Sequence, residues 1–207
     1  MMKPIEIFRF LQEEIHTTVI ATNDEQGFPA TCAIDIMDYD ENGLYFLTAK
    51  GKKFYGRLKA TDYLSLTGIK GKDTMSRIAV SVCGKVKEIG SERLQRLLDK
   101  NPYMYEIYPT EQSREALTVF CLYEGNGEWF DLSKKPIERF TFSFGGILAK
   151  TNGYFITDAC IGCGKCLSVC PQRCIALNGQ KASITQENCL RCGNCINICL
   201  VKAVVIK

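Results

Sequence analysis

The chain has 207 residues, a formal net charge of +3, 46% hydrophobic and 24% charged residues, which suits one medium domain plus a small one of ordinary globular composition. With so small a net charge and no Lys/Arg tract, nucleic acid is excluded as an expected partner. Charged residues interrupt Met1 to Glu14 and the longest charge-free stretch, Phe140 to Ala149, is too short for a bilayer, so neither a signal peptide nor a membrane span is expected and the chain reads as cytoplasmic.

Pro4 opens a stretch in which Ile5, Phe8, Leu11 and Ile15 recur at helical spacing, predicting an amphipathic helix over Pro4 to Ile15. His16, the sole histidine, sits at the helix–strand junction, where a hydrogen-bonded structural role is expected ahead of a proton relay beside a cofactor. β-type segments follow at Thr17–Thr22, Ala30–Met37, Leu44–Thr48, Tyr63–Ile69 and Arg77–Glu88, with turn signals at Asp24 to Pro29 and Asp40 to Gly43. A short helix fits Lys53 to Ala60, with Phe54, Tyr55 and Leu58 inward. A second, capped by Ser91, fits Glu92 to Lys100, with Leu94, Leu97 and Leu98 inward. Further strands are expected at Thr118–Tyr123, Glu128–Asp131 and Phe140–Phe144. Short consecutive strands with tight turns predict a mainly antiparallel β-barrel with flanking helices over residues 1–145. Cys32, Cys83 and Cys121 fall in apolar strand patterns and are expected to be small core residues.

The strand Leu44 to Thr48 runs into Ala49-Lys50-Gly51-Lys52-Lys53 and then a helix. A hydroxyl and several ammonium groups at a helix N-terminus, with its free N–H groups, make an anion site; a solvated basic turn gives the same pattern. The order of pieces resembles the FMN-binding split barrel of the pyridoxamine 5′-phosphate oxidase-like family: helix, strand, Gly27-Phe28-Pro29-Ala30, strand, Asn42 to Thr48, Lys-rich helix start, strand. The resemblance covers residues 4 to 145. It implies an FMN whose phosphate is held by Thr48, Lys50 and Lys53, with Ala49 approaching through its backbone, and a homodimer with each flavin at the subunit interface. Trp129 matches an aromatic that the family places near the flavin, although a core or interface tryptophan gives the same pattern. No Arg-Leu-x-x-Arg ending follows, only Arg139, which argues against oxidation of a vitamin B6 phosphate. Relatives of this fold carry deazaflavin F420 or haem instead of FMN. Neither G-x-G-x-x-G nor G-x-x-x-x-G-K-[ST] occurs, so no separate dinucleotide or P-loop domain is expected.

Residues 146–207 form an internal repeat. Cys160, Cys163, Cys166 and Cys170 make one C-x2-C-x2-C-x3-C run, and Cys189, Cys192, Cys195 and Cys199 another. Each half reads strand, ligand loop, short helix, strand, a pair that stacks to bury one core. Gly162, Gly164 and Gly193 let the backbone curl against a ligand, and Pro171 turns the chain away after the first run. Paired C-x2-C knuckles also bind zinc, but as two separated pairs rather than a triplet with a remote fourth. Thiolates at this density fit a reducing cytosol. The segment resembles bacterial-type dicluster ferredoxins, a small α+β domain with two 4Fe-4S clusters. That likeness implies crossed ligation: Cys160, Cys163, Cys166 and Cys199 for one cluster, Cys189, Cys192, Cys195 and Cys170 for the other. Leu200 stands where a second proline is usual. Cys174 is expected to be a small core residue. Seven Lys/Arg against Asp158 and Glu187 leave +5 here and −2 elsewhere.

A flavin holds one or two electrons, whereas a 4Fe-4S cluster passes one. Their fusion implies an FMN- and iron–sulfur-dependent oxidoreductase linking a small-molecule substrate to an external ferredoxin-type or other electron donor. The alternative is a non-catalytic electron carrier or redox sensor, with the barrel as a dimerisation platform.

Overall fold

The computed structural model describes residues 2–148 and 152–207; Lys150, one of the cations counted above, lies outside them. The chain divides into two compact units. Met1–Lys70, Ala79–Glu128 and Phe142–Ala149 form the first, and Gly71–Ile78, Trp129–Thr141 and Lys150–Lys207 the second. No helix among the described residues is long and apolar enough to cross a membrane.

In the first unit, α1 (Pro4–Arg9) carries Pro4 in its first turn, where a missing N–H costs nothing. The predicted helix then changes pitch: Phe10–Ile15 is a π-helix, closed by the His16 N–H on the Leu11 carbonyl at 2.8 Å. Ile7, absent from the expected stripe, is fully buried beside Phe8 and Leu11.

The strands are β1 (Thr17–Asn23), β2 (Pro29–Asp35), β3 (Asp38–Asp40), β4 (Gly43–Ala49), β5 (Tyr63–Lys70), β6 (Ile78–Gly90), β7 (Leu117–Asp131) and β8 (Glu138–Phe144). They form one eight-stranded sheet in the order β2-β1-β5-β6-β7-β4-β3, with β8 also on β7. β1 and β2 pair antiparallel from Thr17↔Asp35 to Asn23↔Pro29, and β4 and β7 from Leu44↔Leu122 to Ala49↔Leu117. The expected antiparallel β architecture with flanking helices is therefore present. β2 stops two residues early, because the Met37 N–H turns to the Tyr45 carbonyl. The two strands expected at 118–123 and 128–131 are one, β7, continuing through Gly125 and Gly127.

β4 is buried on both faces. Its Phe46 stacks on Phe120 of β7 at 5.8 Å and meets Phe54 of α2 (Lys53–Thr61). Its Tyr45 packs with Val119, Leu97, Leu98 and Met104 on the other side. Each such ring contributes about 1.5–3 kcal/mol by leaving water, which fixes the end of β4 and the start of α2. Leu97 and Leu98 belong to α3 (Leu94–Lys100). Ser91 does not cap it: Arg93 occupies the N-cap position without a side-chain hydrogen bond, because a turn separates Ser91 from the helix. Two helices the sequence did not suggest follow, α4 (Met104–Ile107) and α5 (Glu111–Arg114), the latter capped by Thr110 accepting from the Ser113 N–H. Cys121 is buried as expected, but Cys32 and Cys83 are only half-buried, Cys32 on the less exposed face of β2 and Cys83 at an outward position of β6.

The repeat of the second unit comprises β9 (Tyr154–Ile156), α6 (Lys165–Ser168) and β10 (Ile175–Asn178), then β11 (Lys181–Ile184), α7 (Asn194–Ile198) and β12 (Val204–Ile206). β10 pairs with β11, whereas β9 pairs with the last strand, β12. Cys174, Ile175, Ala182, Cys189, Cys195 and Val204 form the shared core.

Candidate functional site

The two cysteine loops share their left-handed backbone positions. Gly162 at φ 66° corresponds to Arg191 at φ 57°, and Gly164 and Gly193, both left-handed, begin α6 and α7. Arg173 and Lys202 match likewise after the fourth cysteine of each run, at φ 51° and 49°. A left-handed non-glycine residue costs about 1–2 kcal/mol, so the loop shape is held despite strain; the Tyr154 hydroxyl donates to the Arg191 carbonyl at 3.3 Å and helps to hold it.

One cavity is walled by Cys160, Cys163, Cys166 and Cys199, with Gly162, Ile161 and Val201. A second is walled by Cys189, Cys192, Cys195 and Cys170, with Pro171 and Gly193. Each encloses roughly similar atom-free space, about 370 and 310 Å³, part of it open to solvent. The fold thus gathers three sulfurs of one run with the fourth of the other, twice.

Backbone N–H groups aim at these sulfurs: Ala182 at Cys160 (3.5 Å), Arg191 at Cys189 (3.3 Å) and Ala203 at Cys199 (3.2 Å). Hydrogen bonds from Ala182 and Gly162 pull the Cys160 thiol below its ordinary pKa, as a thiolate ligand requires. Burial pushes Cys166 and Cys195, the third cysteine of each run, the other way. A zinc ion would draw four sulfurs to about 2.3 Å from one point. Among the described residues no three His, Cys, Asp or Glu side chains gather around one ion in that way. Thiolate-only donors spread around a cavity, with N–H groups turned toward them, fit a sulfide-bridged iron cube. Cys174 is buried as expected and also touches Cys170, sulfur to sulfur, at 3.5 Å; only its spacing from Cys170 hinted at this.

The first unit brings Thr48, Ala49, Lys50 and Lys53 together at the end of β4 and the start of α2. Thr48 is 2% exposed, and its hydroxyl has no hydrogen-bond partner among the described residues. The Lys52 N-cap of α2 makes no side-chain bond to the helix N–H groups. Lys50, Lys52 and Lys53 are exposed. An orphan hydroxyl, uncapped helix N–H groups and three ammonium groups at one place match a phosphate. Lys50 also lines an open groove with Leu94, Gln95 and Arg114. Trp129 belongs to the second unit, 4% exposed and stacked on Phe140 at 6.0 Å.

His16 adopts φ 63°, and its Nε2 lies 3.0 Å from the Tyr103 hydroxyl, which donates to Asp35 at 2.7 Å. Burial and the Asp35 carboxylate push the Tyr103 pKa well above the ordinary phenol range. The histidine is thus hydrogen-bonded, as expected. Asp38, fully buried, accepts from Arg96 at 2.6 Å and from Lys100; the sequence reading missed this network, since its partners lie some sixty residues apart along the chain.

Comparisons with known proteins bear on the fold of both parts of the chain. The family model for pyridoxamine 5′-phosphate oxidase matches residues 4–123, and that for the 4Fe-4S dicluster domain matches residues 153–200. Among solved structures, a NimC/NimA family protein from Clostridium acetobutylicum superposes with a TM-score of 0.57 at 18% identity, covering 68% of this chain and 92% of its own. A protein of the pyridoxinephosphate oxidase family, also from C. acetobutylicum and related to general stress protein 26 of B. subtilis, gives 0.52 at 18%, covering 67% and 92%. PhzG from Burkholderia lata, solved with tetrahydrophenazine-1-carboxylic acid, gives 0.53 at 14%, covering 66% and 80%. At these identities the likeness is one of fold. No curated protein matches the chain.

Proposed function

The chain belongs to the pyridoxamine 5′-phosphate oxidase family, a flavin-binding fold, and carries a 4Fe-4S dicluster domain; on that premise we propose that it is a redox flavoprotein working between an external one-electron carrier and a small-molecule substrate. When bound, FMN supplies two-electron exchange with the substrate and two 4Fe-4S clusters supply the one-electron relay. The observation that carries this reading is the pair of cysteine-walled cavities, each drawing its fourth sulfur from the opposite run.

Cys160, Cys163, Cys166 and Cys199 hold one cluster, and Cys170, Cys189, Cys192 and Cys195 the other. Ala182, Arg191 and Ala203 donate N–H groups to the ligand sulfurs, and such donors spread thiolate charge and raise a cluster's potential. Thr48 donates its hydroxyl to the flavin phosphate, Lys50 and Lys53 neutralise it, and the first N–H groups of α2 complete the cradle alongside Ala49. His16 is occupied by Tyr103 and serves no proton transfer in this reading. The functional unit is a homodimer with flavins at the subunit interface.

Anaerobic purification followed by metal and flavin analysis tests the proposal. About eight irons and one FMN per chain are expected, with the flavin spectrum bleaching after dithionite reduces the clusters. Iron without flavin would instead favour a non-catalytic carrier, and zinc in place of iron would refute both.

A further inference from the structure

The second unit is built twice over, but its two ligand loops are not equally covered. In the loop from Cys189 to Cys192, the Leu190 carbonyl accepts a hydrogen bond from Arg139 at 3.2 Å. Asn188, just before that loop, donates to the Ile137 carbonyl at 2.8 Å. Arg139 lies over the Phe130 ring at 5.2 Å, and Ile137 is buried. Segment Trp129–Thr141, part of the same unit, therefore lies over the second loop. At the first loop Ile161, the counterpart of Leu190, is 63% exposed. Leu200, which replaces the usual proline, is 69% exposed and Val201 38%. Ile161 and Val201 also line the first cysteine cavity, and Lys165 and Lys202 are exposed beside them.

Building on the redox reading above, we propose that Ile161, Leu200 and Val201, flanked by Lys165 and Lys202, form the docking surface for an acidic one-electron carrier protein. Two observations select that occupant. The equivalent loop is covered by a protein segment that hydrogen-bonds to it through backbone carbonyls, so this backbone shape accepts a polypeptide. The flanking lysines then favour an acidic face and give association that is fast and salt-sensitive. A compact apolar patch beside a redox site suits the small, transient contacts of electron-transfer partners, below about 1,200 Å². In the encounter the carrier loses one electron and the module gains it, with no proton or leaving group involved. A carrier approaching the second loop would have to displace the contacts of Arg139 and Asn188.

The test is binding of an acidic bacterial-type ferredoxin to the anaerobically purified full chain, measured by interferometry at low and high salt. Ile161→Glu, Leu200→Glu and the double change Lys165→Glu with Lys202→Glu should each weaken binding by iron-replete protein at least tenfold, and Leu200→Glu, outside the cavity wall, should leave iron per chain unchanged. Ile107→Glu, at a 61% exposed position of the first unit, should leave binding unaltered. Undiminished affinity in the three rim variants overturns the proposal, as does failure of the iron-replete wild type to bind. Iron and flavin are assayed in the same samples, so a wild type lacking them would count against the redox reading itself, separately from the surface.

Discussion

Thr48 carries a hydroxyl that no group among the described residues satisfies, and a buried unpaired polar atom costs about 1–3 kcal/mol. Thr48→Val should therefore raise or preserve the melting temperature of flavin-free protein, while loosening FMN about tenfold in a fluorescence titration. A purely structural threonine would show the opposite pattern. At Asp38, burial works to raise the carboxyl pKa, but hydrogen bonds from Lys100 and Arg96 outweigh it and hold the group below its ordinary range. Such a depressed carboxylate stabilises the fold fully above its unfolded pKa of about 3.9, and that stability is lost as pH falls through the lower folded value. Asp38→Asn should cost about 1.5–3 kcal/mol at neutral pH, because Arg96 and Lys100 are left part-exposed rather than buried, and urea melts should show that deficit shrinking below pH 4. The eight cysteines that wall the two cavities were legible as a group in the sequence because fixed spacing is their whole specification. Asp38 was not, because its burial depends on helix α3 returning from far along the chain.

The elements divide by how local their causes are. Short helices and alternating strands obey nearest-neighbour patterns, so β1, α2 and β8 appear where expected. The π-helix does not, because it answers to tertiary packing rather than to its own periodicity. β7 was broken in two on paper by Gly125 and Gly127, residues that normally interrupt strands. Glycine in this sheet instead makes room for its neighbours. A Cβ on Gly84 of β6 would stand 2.1 Å from the Glu124 carbonyl oxygen, whereas one on Gly56 of α2 meets nothing within 4 Å. Gly84→Ala should thus lose about 1–3 kcal/mol by overpacking against backbone. Gly56→Ala should gain about 0.5–1 kcal/mol from helix propensity. Thermal melts of the two single variants decide this, and equal effects would contradict it.

Across the whole molecule, crossed ligation makes a prediction that uncrossed runs do not. Cys199→Ala should halve the iron and abolish the cluster of the first run, Cys160 to Cys166, while sparing that of Cys189 to Cys195. Electron paramagnetic resonance of the reduced protein, compared with a Cys170→Ala variant, distinguishes which signal survives. The pairing of β9 with β12 has its own bearing on assembly. Gly153 and Lys207 exchange both backbone hydrogen bonds, at 2.9 and 3.1 Å, so the stretch between them leaves and returns at one point. A segment with coincident ends can be spliced into a surface turn of an unrelated host without prying that turn apart. By the same geometry, any tail fused after Lys207 emerges beside Gly153.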